Sequence, residues 1–486
     1  MKKIVLVQPK VGELEFIQGV PMLPLALLQV SAGLADQYAV KIIDQRVDPD
    51  WKSTLKNELS GNVLCAGITV MTGPQISYAL EASRIIKENS AVPVAWGGIH
   101  PTLLPEQTLE HPYVDIVVTG EGEILFRDLI YSMDSVKEWQ SLPGIWTKRN
   151  GRPYGTPPEE IDDINKLPPL PYNLIRVEDY VSRDRDGRKK IHIQTARGCP
   201  YQCTFCYQSG KYRKKWRAFG AERVMAEIKK LRTGYNIGHF HIIDDNFFAD
   251  MSRAHSILKS IADEKREIVI TINGARISDI LTMKEETLRL LSDKRFCYEL
   301  QIGLESGSDI ILDKMKKGVT RTQIFEANER LRKFNIPRYY ELVTGFKGET
   351  EEDIKQTAGV ILSLSEKDDN VFFSPMHSLS PYPGTEVYRE AEADGMKFPE
   401  NLSGWSEYKW DAVRLPWIDN KTKRLMEAFF IFPILVSRRN KYARSLLLLF
   451  LMNFLRPLAR FRLKKFYFGL AFEAVLFKIF IRLKNK

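Results

Sequence analysis

Short apolar runs rich in Val and Ile recur through the first 120 residues, at Ile4-Val5-Leu6-Val7, Val40-Lys41-Ile42-Ile43-Asp44, 64–70, 92–98 and 114–120. Helix-length amphipathic segments such as 75–89 separate them. This alternation predicts a parallel, doubly wound sheet of about five strands. Ligands of such sheets sit beyond the carboxyl ends of the strands, and Gly97-Gly98 and Gly120-Glu121-Gly122-Glu123 stand where two strands are predicted to end. Glycine there lets backbone approach a bulky ligand, and a helix starting near Glu123 offers free N–H groups.

Six prolines between 150 and 175 exclude helix and central strand, so this stretch reads as an extended connector. Strand-like runs resume at Ile191-His192-Ile193-Gln194-Thr195, 239–245, 268–273, 298–303, 338–345 and 371–376, with helical segments at 221–231, 283–292, 322–334 and 351–364. Six β/α units predict an open, partial barrel of the TIM type with its chemistry at the strands' carboxyl ends. The last sixty residues change again, alternating apolar runs with basic clusters.

Three of the five cysteines, Cys199, Cys203 and Cys206, lie within eight residues just after the first barrel strand. Cys65 and Cys297 lie far away in apolar surroundings, which argues against a disulfide framework. Structural zinc needs four protein ligands, and no nearby Cys or His supplies a fourth. Three thiolates on a [4Fe-4S] cubane leave one iron open to a small molecule. An unrelated zinc loop is the alternative. Polar groups stand at the later strand ends: Asp244-Asp245-Asn246, Arg276, Glu305-Ser306-Gly307 and Gly345-Phe346-Lys347-Gly348-Glu349. Each by itself is an ordinary solvated cap. The histidines, His100, His239, His241 and His377 among them, have no ligand spacing that demands a metal.

CxxxCxxC with an aromatic residue before the third cysteine, followed by these strand ends in order, resembles the radical S-adenosylmethionine (SAM) superfamily. Trp96-Gly97-Gly98-Ile99-His100-Pro101-Thr102 and Val118-Thr119-Gly120-Glu121-Gly122-Glu123 resemble the cobalamin-binding domain found in front of many such enzymes, the branch that includes the anaerobic magnesium-protoporphyrin cyclase and class B methylases. The Asp-x-His-x-x-Gly loop that ligates cobalt elsewhere is absent: after Ile43 the chain reads Asp44-Gln45-Arg46-Val47-Asp48, and no histidine precedes His100. Retention of the fold without cobalamin is the alternative.

The resemblance implies a Rossmann-like cobalamin domain over 1–145, a proline-rich linker over 146–188, a radical SAM half-barrel over 189–400 and a helical extension over 401–486. It implies Cys199, Cys203 and Cys206 as cluster ligands. Asp244, Arg276, Glu305 and Gly345 would contact SAM, and Gly97, Gly98, Thr119 and Glu121 would contact cobalamin; a hydrogen-donor residue is not identified. It further implies electron delivery by flavodoxin or ferredoxin, cleavage of SAM to methionine and a 5′-deoxyadenosyl radical, hydrogen abstraction from an unactivated carbon, and methyl transfer from methylcobalamin. Radical cyclisation, rearrangement or oxidation is the alternative chemistry. An electron-transfer or nucleic-acid-binding module with a structural cluster is the alternative from another class.

The 486 residues are 44% hydrophobic and 27% charged, an ordinary globular balance. The net charge of +10 is uneven: 438–486 hold thirteen Lys and Arg against the single acid Glu473, a local +12 that leaves the rest at −2. A basicity confined to the tail argues against nucleic acid as the partner. No apolar run reaches the ~18 residues that span a bilayer, so the tail suggests helices in the interface of an anionic membrane. A helical domain packed on the barrel is the alternative. With no signal-peptide pattern at the N-terminus, the expectation is a cytoplasmic enzyme at the inner face of the membrane, acting on a hydrophobic, lipid-like substrate.

Overall fold

The computed structural model describes residues 1–12, 19–209, 215–264, 267–293, 295–409, 414–437, 446–468 and 473. It divides into two compact units, Met1–Ile191 with Lys397–Ala412, and His192–Met396 with Val413–Lys486.

The first unit is built on a seven-stranded sheet ordered β2-β1-β3-β4-β5-β6-β7. Strands β1 (Lys3–Gln8), β2 (Ala39–Asp44), β3 (Val63–Thr69), β4 (Val94–Gly97) and β5 (Ile116–Val118) are parallel, as the pattern predicts. Their central side chains are mostly apolar and buried, as expected of a sheet covered by helices on both faces. An antiparallel hairpin, β6 (Ile145–Arg149) and β7 (Arg152–Gly155), extends the sheet beyond β5. The hairpin was hidden in the proline-rich stretch: Pro153 lies on edge strand β7, where its missing N–H costs no ladder bond. The strand order reverses between β1 and β3, which makes the crevice at their carboxyl ends the switch point of the sheet.

The segment 397–412 joins this unit after the barrel strands have been laid down. Gln107 Nε2 donates to the Pro399 carbonyl at 3.0 Å, Trp405 Nε1 donates to Gln107 Oε1 at 2.6 Å, and Trp405 meets the His100 ring edge-on.

In the second unit the parallel strands β9 (Lys189–Ile193), β12 (His239–Ile242), β13 (Val269–Arg276), β14 (Cys297–Glu305), β15 (Arg338–Thr344) and β16 (Val371–Ser378) follow one another across an open sheet. A two-residue strand β8 (Ser182–Arg183) pairs antiparallel with β9, and the ribbon β10 (Ala196–Arg197) with β11 (Arg217–Ala218) stands apart. Helices alternate with the strands and start where their caps dictate. Thr320 and Thr350 open Arg321–Lys333 and Glu351–Lys367 with capping boxes, their hydroxyls accepting from the Gln323 and Asp353 amides.

One short helix of the C-terminal region, Phe432–Val436, is buried throughout. Phe432, Ile434, Leu435 and Val436 are at most 2% exposed, and this helix packs against β16 and the helix Leu446–Lys465. The run 429–432 is therefore protein core, because one face of β16 would otherwise be left bare. No helix among the described residues is long and apolar enough to cross a membrane. Of the other tail calls, 438–445 and 469–486 apart from Glu473 lie outside the described residues.

Candidate cluster and cofactor sites

The cysteine loop leaves the sheet after β9 and is closed at its base by the β10–β11 ribbon, with Arg197 opposite Arg217. At the neck, Gly198 has φ +77°, and a Cβ there would lie 2.4 Å from the Lys215 carbonyl oxygen, so only glycine passes. Both ends of the loop are tied to one carboxylate: Asp245 Oδ2 accepts from the Gly198 amide at 2.9 Å and from Gln208 Nε2 at 2.6 Å. Its middle is held by Thr204, whose amide donates to the Met315 carbonyl at 3.1 Å. The Thr204 carbonyl accepts from the Glu386 and Val387 amides at the start of a helix. Phe205 packs edge-on against Phe346 within an apolar cluster that includes Ile311, Leu379 and Leu415.

Among the described residues no three His, Cys, Asp or Glu side chains converge as a single metal ion would require. A cubane asks for a different arrangement, its thiolates lying on separate iron corners, and the donor set here is three thiols of one loop. Cys203 is buried, and Arg276 Nη1 donates to its Sγ at 3.3 Å. The same guanidinium stacks 3.7 Å over the Tyr201 ring and donates to the Lys317 carbonyl, so its position is determined on three sides. Burial pushes the Cys206 thiol up to about 11, and ligation to iron is what would ionise it.

Polar atoms left over beside the loop mark a place for a ligand. Asn246 is fully buried with its side chain against the Cys199 thiol, and its amide oxygen, Arg276 Nε and Gln208 Oε1 meet no partner among the described residues. Each such atom costs about 1–3 kcal/mol unless something fills it. A molecule carrying an amine, a carboxylate, a ribose and an adenine has the groups to do so.

The four residues expected to contact SAM all stand at adjacent strand ends, and each has protein partners of its own. Asp244 is buried and accepts from the Thr195 amide at 2.6 Å and from Thr195 Oγ1 at 2.5 Å; burial raises its carboxyl to about 6 against these bonds. Glu305 takes a left-handed φ of +66° and pairs with Lys317 Nζ at 2.8 Å, both side chains being under 10% exposed. Gly303 makes room for that pair, since a Cβ there would lie 2.4 Å from Glu305 Oε1. Lys317 and Gln208 were not singled out from the sequence, and Asp245 and Asn246 stood there only as members of the Asp-Asp-Asn strand end, without a role of their own.

Gly345 starts the turn after β15 at φ +103°, and the carboxylate of Glu349 organises that turn by accepting from the Gly345 and Phe346 amides and from Thr344 Oγ1. Burial raises Glu349 from its ordinary value of 4.5 to about 7, outweighing those three donors. The folded state therefore holds this proton more tightly than the unfolded chain does. Stability tied to Glu349 is present below pH ~4.5 and is lost as pH rises through ~7, by an upper bound of about 3 kcal/mol. The melting-temperature difference between wild type and Glu349→Gln should swing in favour of the variant from pH 5 to pH 8. A difference that does not change with pH would contradict this.

In the first unit, Gly97 and Gly98 end β4, and Thr119 and Glu121 follow β5, its neighbour in the sheet. Gly98, at φ +99°, admits backbone rather than ligand: a Cβ would lie 2.7 Å from the Val70 carbonyl oxygen. The Thr119 hydroxyl donates to the Gly144 carbonyl at 2.9 Å, Glu121 occupies the N-cap position of Gly122–Asp134, and Gly97 alone has ordinary space at its α-carbon. His100 is fully buried, its Nδ1 at 3.0 Å from Thr72 Oγ1 and its Nε2 without a partner among the described residues. Burial lowers it to about 3, so the ring is neutral. A switch-point crevice with glycine-bearing loops suits a large planar ligand.

Residues 193–361 match the family model of the radical SAM superfamily, and residues 19–130 match that of the B12 binding domain. An uncharacterised methyltransferase of Pyrococcus horikoshii, PH0819, is 29% identical over 412 residues, 84% of this chain and 86% of the relative. The anaerobic magnesium-protoporphyrin IX monomethyl ester cyclase of Rubrivivax gelatinosus is 27% identical over 345 residues, 70% of this chain and 59% of the relative. The fold is shared with the cobalamin-dependent SAM radical enzyme OxsB, solved with aqua-cobalamin and SAM: TM-score 0.75 at 18% identity, over 100% of this chain and 75% of that one. It is shared also with the methyltransferase TsrM of Kitasatospora setae, solved with cobalamin and a [4Fe-4S] cluster: TM-score 0.65 at 20% identity, over 84% of this chain and 81% of that one.

Proposed function

We propose, from the premise that this chain belongs to the radical SAM superfamily and carries a B12-binding domain ahead of its half-barrel, that it transfers a methyl group to an unactivated carbon using a [4Fe-4S] cluster, SAM and cobalamin. The observation that carries this reading is a three-cysteine loop closed at a strand end beside unfilled buried polar atoms, in a chain whose other unit has a switch-point sheet. When bound, the cluster supplies an electron that cleaves SAM to methionine and a 5′-deoxyadenosyl radical, and cobalamin supplies the methyl group. Cys199, Cys203 and Cys206 would hold the cluster, with Arg276 keeping a positive charge against Cys203. Asn246, Glu305 and the Gly345 turn would orient SAM, and Gly97, Thr119 and Glu121 would lie along the corrinoid, with Gly98 holding their loop against Val70. The electron would come from flavodoxin or ferredoxin.

Anaerobically reconstituted full-length protein with reductant and SAM should yield 5′-deoxyadenosine, and after loading with cobalamin it should keep corrinoid absorbance through gel filtration. Absence of 5′-deoxyadenosine would sink the enzyme. A protein that cleaves SAM yet retains no corrinoid would favour radical cyclisation, rearrangement or oxidation, the reading that the cyclase relative supports.

The finer part of the proposal concerns an apolar substrate at a membrane. Along Leu446–Lys465 the outward residues Phe450, Phe454 and Phe461 are 69%, 74% and 55% exposed, next to Lys464 and Lys465. Phenylalanines beside cations fit an anionic bilayer surface. The full-length protein should co-sediment with phosphatidylglycerol vesicles more than with phosphatidylcholine vesicles, and replacing the three phenylalanines by serine should remove the difference. Equal sedimentation of wild type and variant would refute the contact and, with it, the main support for a lipid-like substrate.

A further inference from the structure

Arg276 is the last residue of β13, and the strand itself sets the direction of its side chain. The register of β13 against β14 breaks between Ile272 and Ala275. Gly274, within the break, takes a left-handed φ of +77°, and a Cβ there would lie 2.4 Å from the Asp244 carbonyl oxygen. Beyond this bulge the Arg276 side chain runs to the cysteine loop and is only 7% exposed. Nη1 donates to Cys203 Sγ at 3.3 Å, Nη2 donates to the Lys317 carbonyl, and Cζ lies 3.7 Å from the centre of the Tyr201 ring. The main-chain amide is held separately, donating to Asp279 Oδ2 at 2.9 Å.

Buried cations elsewhere in this unit are set against carboxylates, Arg338 against Asp368 at 2.7 Å and Lys317 against Glu305 at 2.8 Å. Among the described residues the Arg276 guanidinium makes no ion pair with a carboxylate; besides one carbonyl, it donates to a sulfur of the cluster loop. A neutral thiol is a weak acceptor and leaves a buried guanidinium poorly compensated, whereas a thiolate on iron brings negative charge to it. Hydrogen bonds to the sulfurs and the charge around them set the potential of an iron–sulfur centre, and a fixed cation favours the form that carries one more electron. We propose that Arg276 is a positioning residue of the cluster that raises its reduction potential through Cys203, and so governs how much of the cluster a given reductant holds reduced. Lysine would keep the charge but lacks the planar fork that reaches sulfur and carbonyl together and stacks on Tyr201. The inference rests on the function proposed above, since it takes Cys203 as a ligand of the cluster.

The test is a redox titration of the reconstituted full-length protein, followed by electron paramagnetic resonance. In Arg276→Gln the reduced-to-oxidised ratio at a fixed ambient potential should fall about tenfold, which is a midpoint lower by about 59 mV for a one-electron couple. Arg276→Lys should move the midpoint by less than half as much, because the charge is retained. Should Arg276→Gln bind no cluster, the wild type carries the test: with its arginines labelled with nitrogen-15, the reduced cluster should show a nitrogen hyperfine coupling that labelled Arg276→Lys lacks. A cluster-bearing Arg276→Gln with an unchanged midpoint, a shift in Arg276→Lys as large as in Arg276→Gln, or no such coupling in the wild type would each overturn the inference. A wild type that binds no iron would sink the proposed function and this inference with it, whereas a cluster indifferent to residue 276 sinks the inference alone.

Discussion

Replacing Cys203 by alanine should abolish 5′-deoxyadenosine formation and lower the iron content of the reconstituted protein, with little effect on the melting temperature of the metal-free chain. Three thiolates are the minimum that holds a cubane with one open iron, so losing one removes the site rather than weakening it. Cys203 is the most informative of the three because it is buried and Arg276 Nη1 lies 3.3 Å from its sulfur. Cys199→Ala and Cys206→Ala should behave alike. Cys65→Ala and Cys297→Ala are the controls: both thiols are buried, burial pushes both up to about 12, and neither lies in the loop. These two variants should cost at most ~1 kcal/mol of packing and keep SAM cleavage. Full iron content in Cys203→Ala, or cleavage lost in folded Cys297→Ala, would contradict the assignment of the cluster to this loop.

Lys317→Met should be the most destabilising single change near the site, by about 3–5 kcal/mol, because it strands the Glu305 carboxylate without its buried counter-charge. Glu305 is confined on other grounds. Its left-handed backbone holds strain of order 1 kcal/mol, and the space its carboxylate occupies exists only because residue 303 lacks a side chain. The double variant Glu305→Gln with Lys317→Met should recover at least half of the loss, since no unpaired charge remains. Denaturant unfolding of the metal-free protein separates this from any change in cofactor binding. A cost below ~1 kcal/mol for Lys317→Met would mean that water reaches the pair. If Glu305 also orients SAM, Glu305→Gln should weaken SAM binding even where folding is restored.

Much of this architecture was legible from periodicity because it is local. The five parallel strands of the first sheet were readable as apolar runs, since a sheet covered by helices on both faces has no polar face to break the pattern, and the six of the second as β-branched runs spaced by helical segments. The hairpin 145–155 was not, because an edge strand can carry Pro153 and polar side chains. The run 429–432 reads as membrane-seeking in isolation and proves to be core, since sequence alone does not say which apolar surface lies opposite.

The sites divide in the same way. Chemistry that depends on residues a few positions apart was determined by the sequence itself: the three cysteines, the glycines at strand ends and the order of the polar strand ends. The tertiary structure alone decided which groups already have partners. Lys317 reaches Glu305 from twelve residues away, Asp245 ties Gly198 to Gln208, Thr195 takes up Asp244, and Gly98 turns out to accommodate Val70. Spacing along a chain encodes what a loop can ligate. Pairing across strands depends on register, and register is settled only when the apolar faces are buried together.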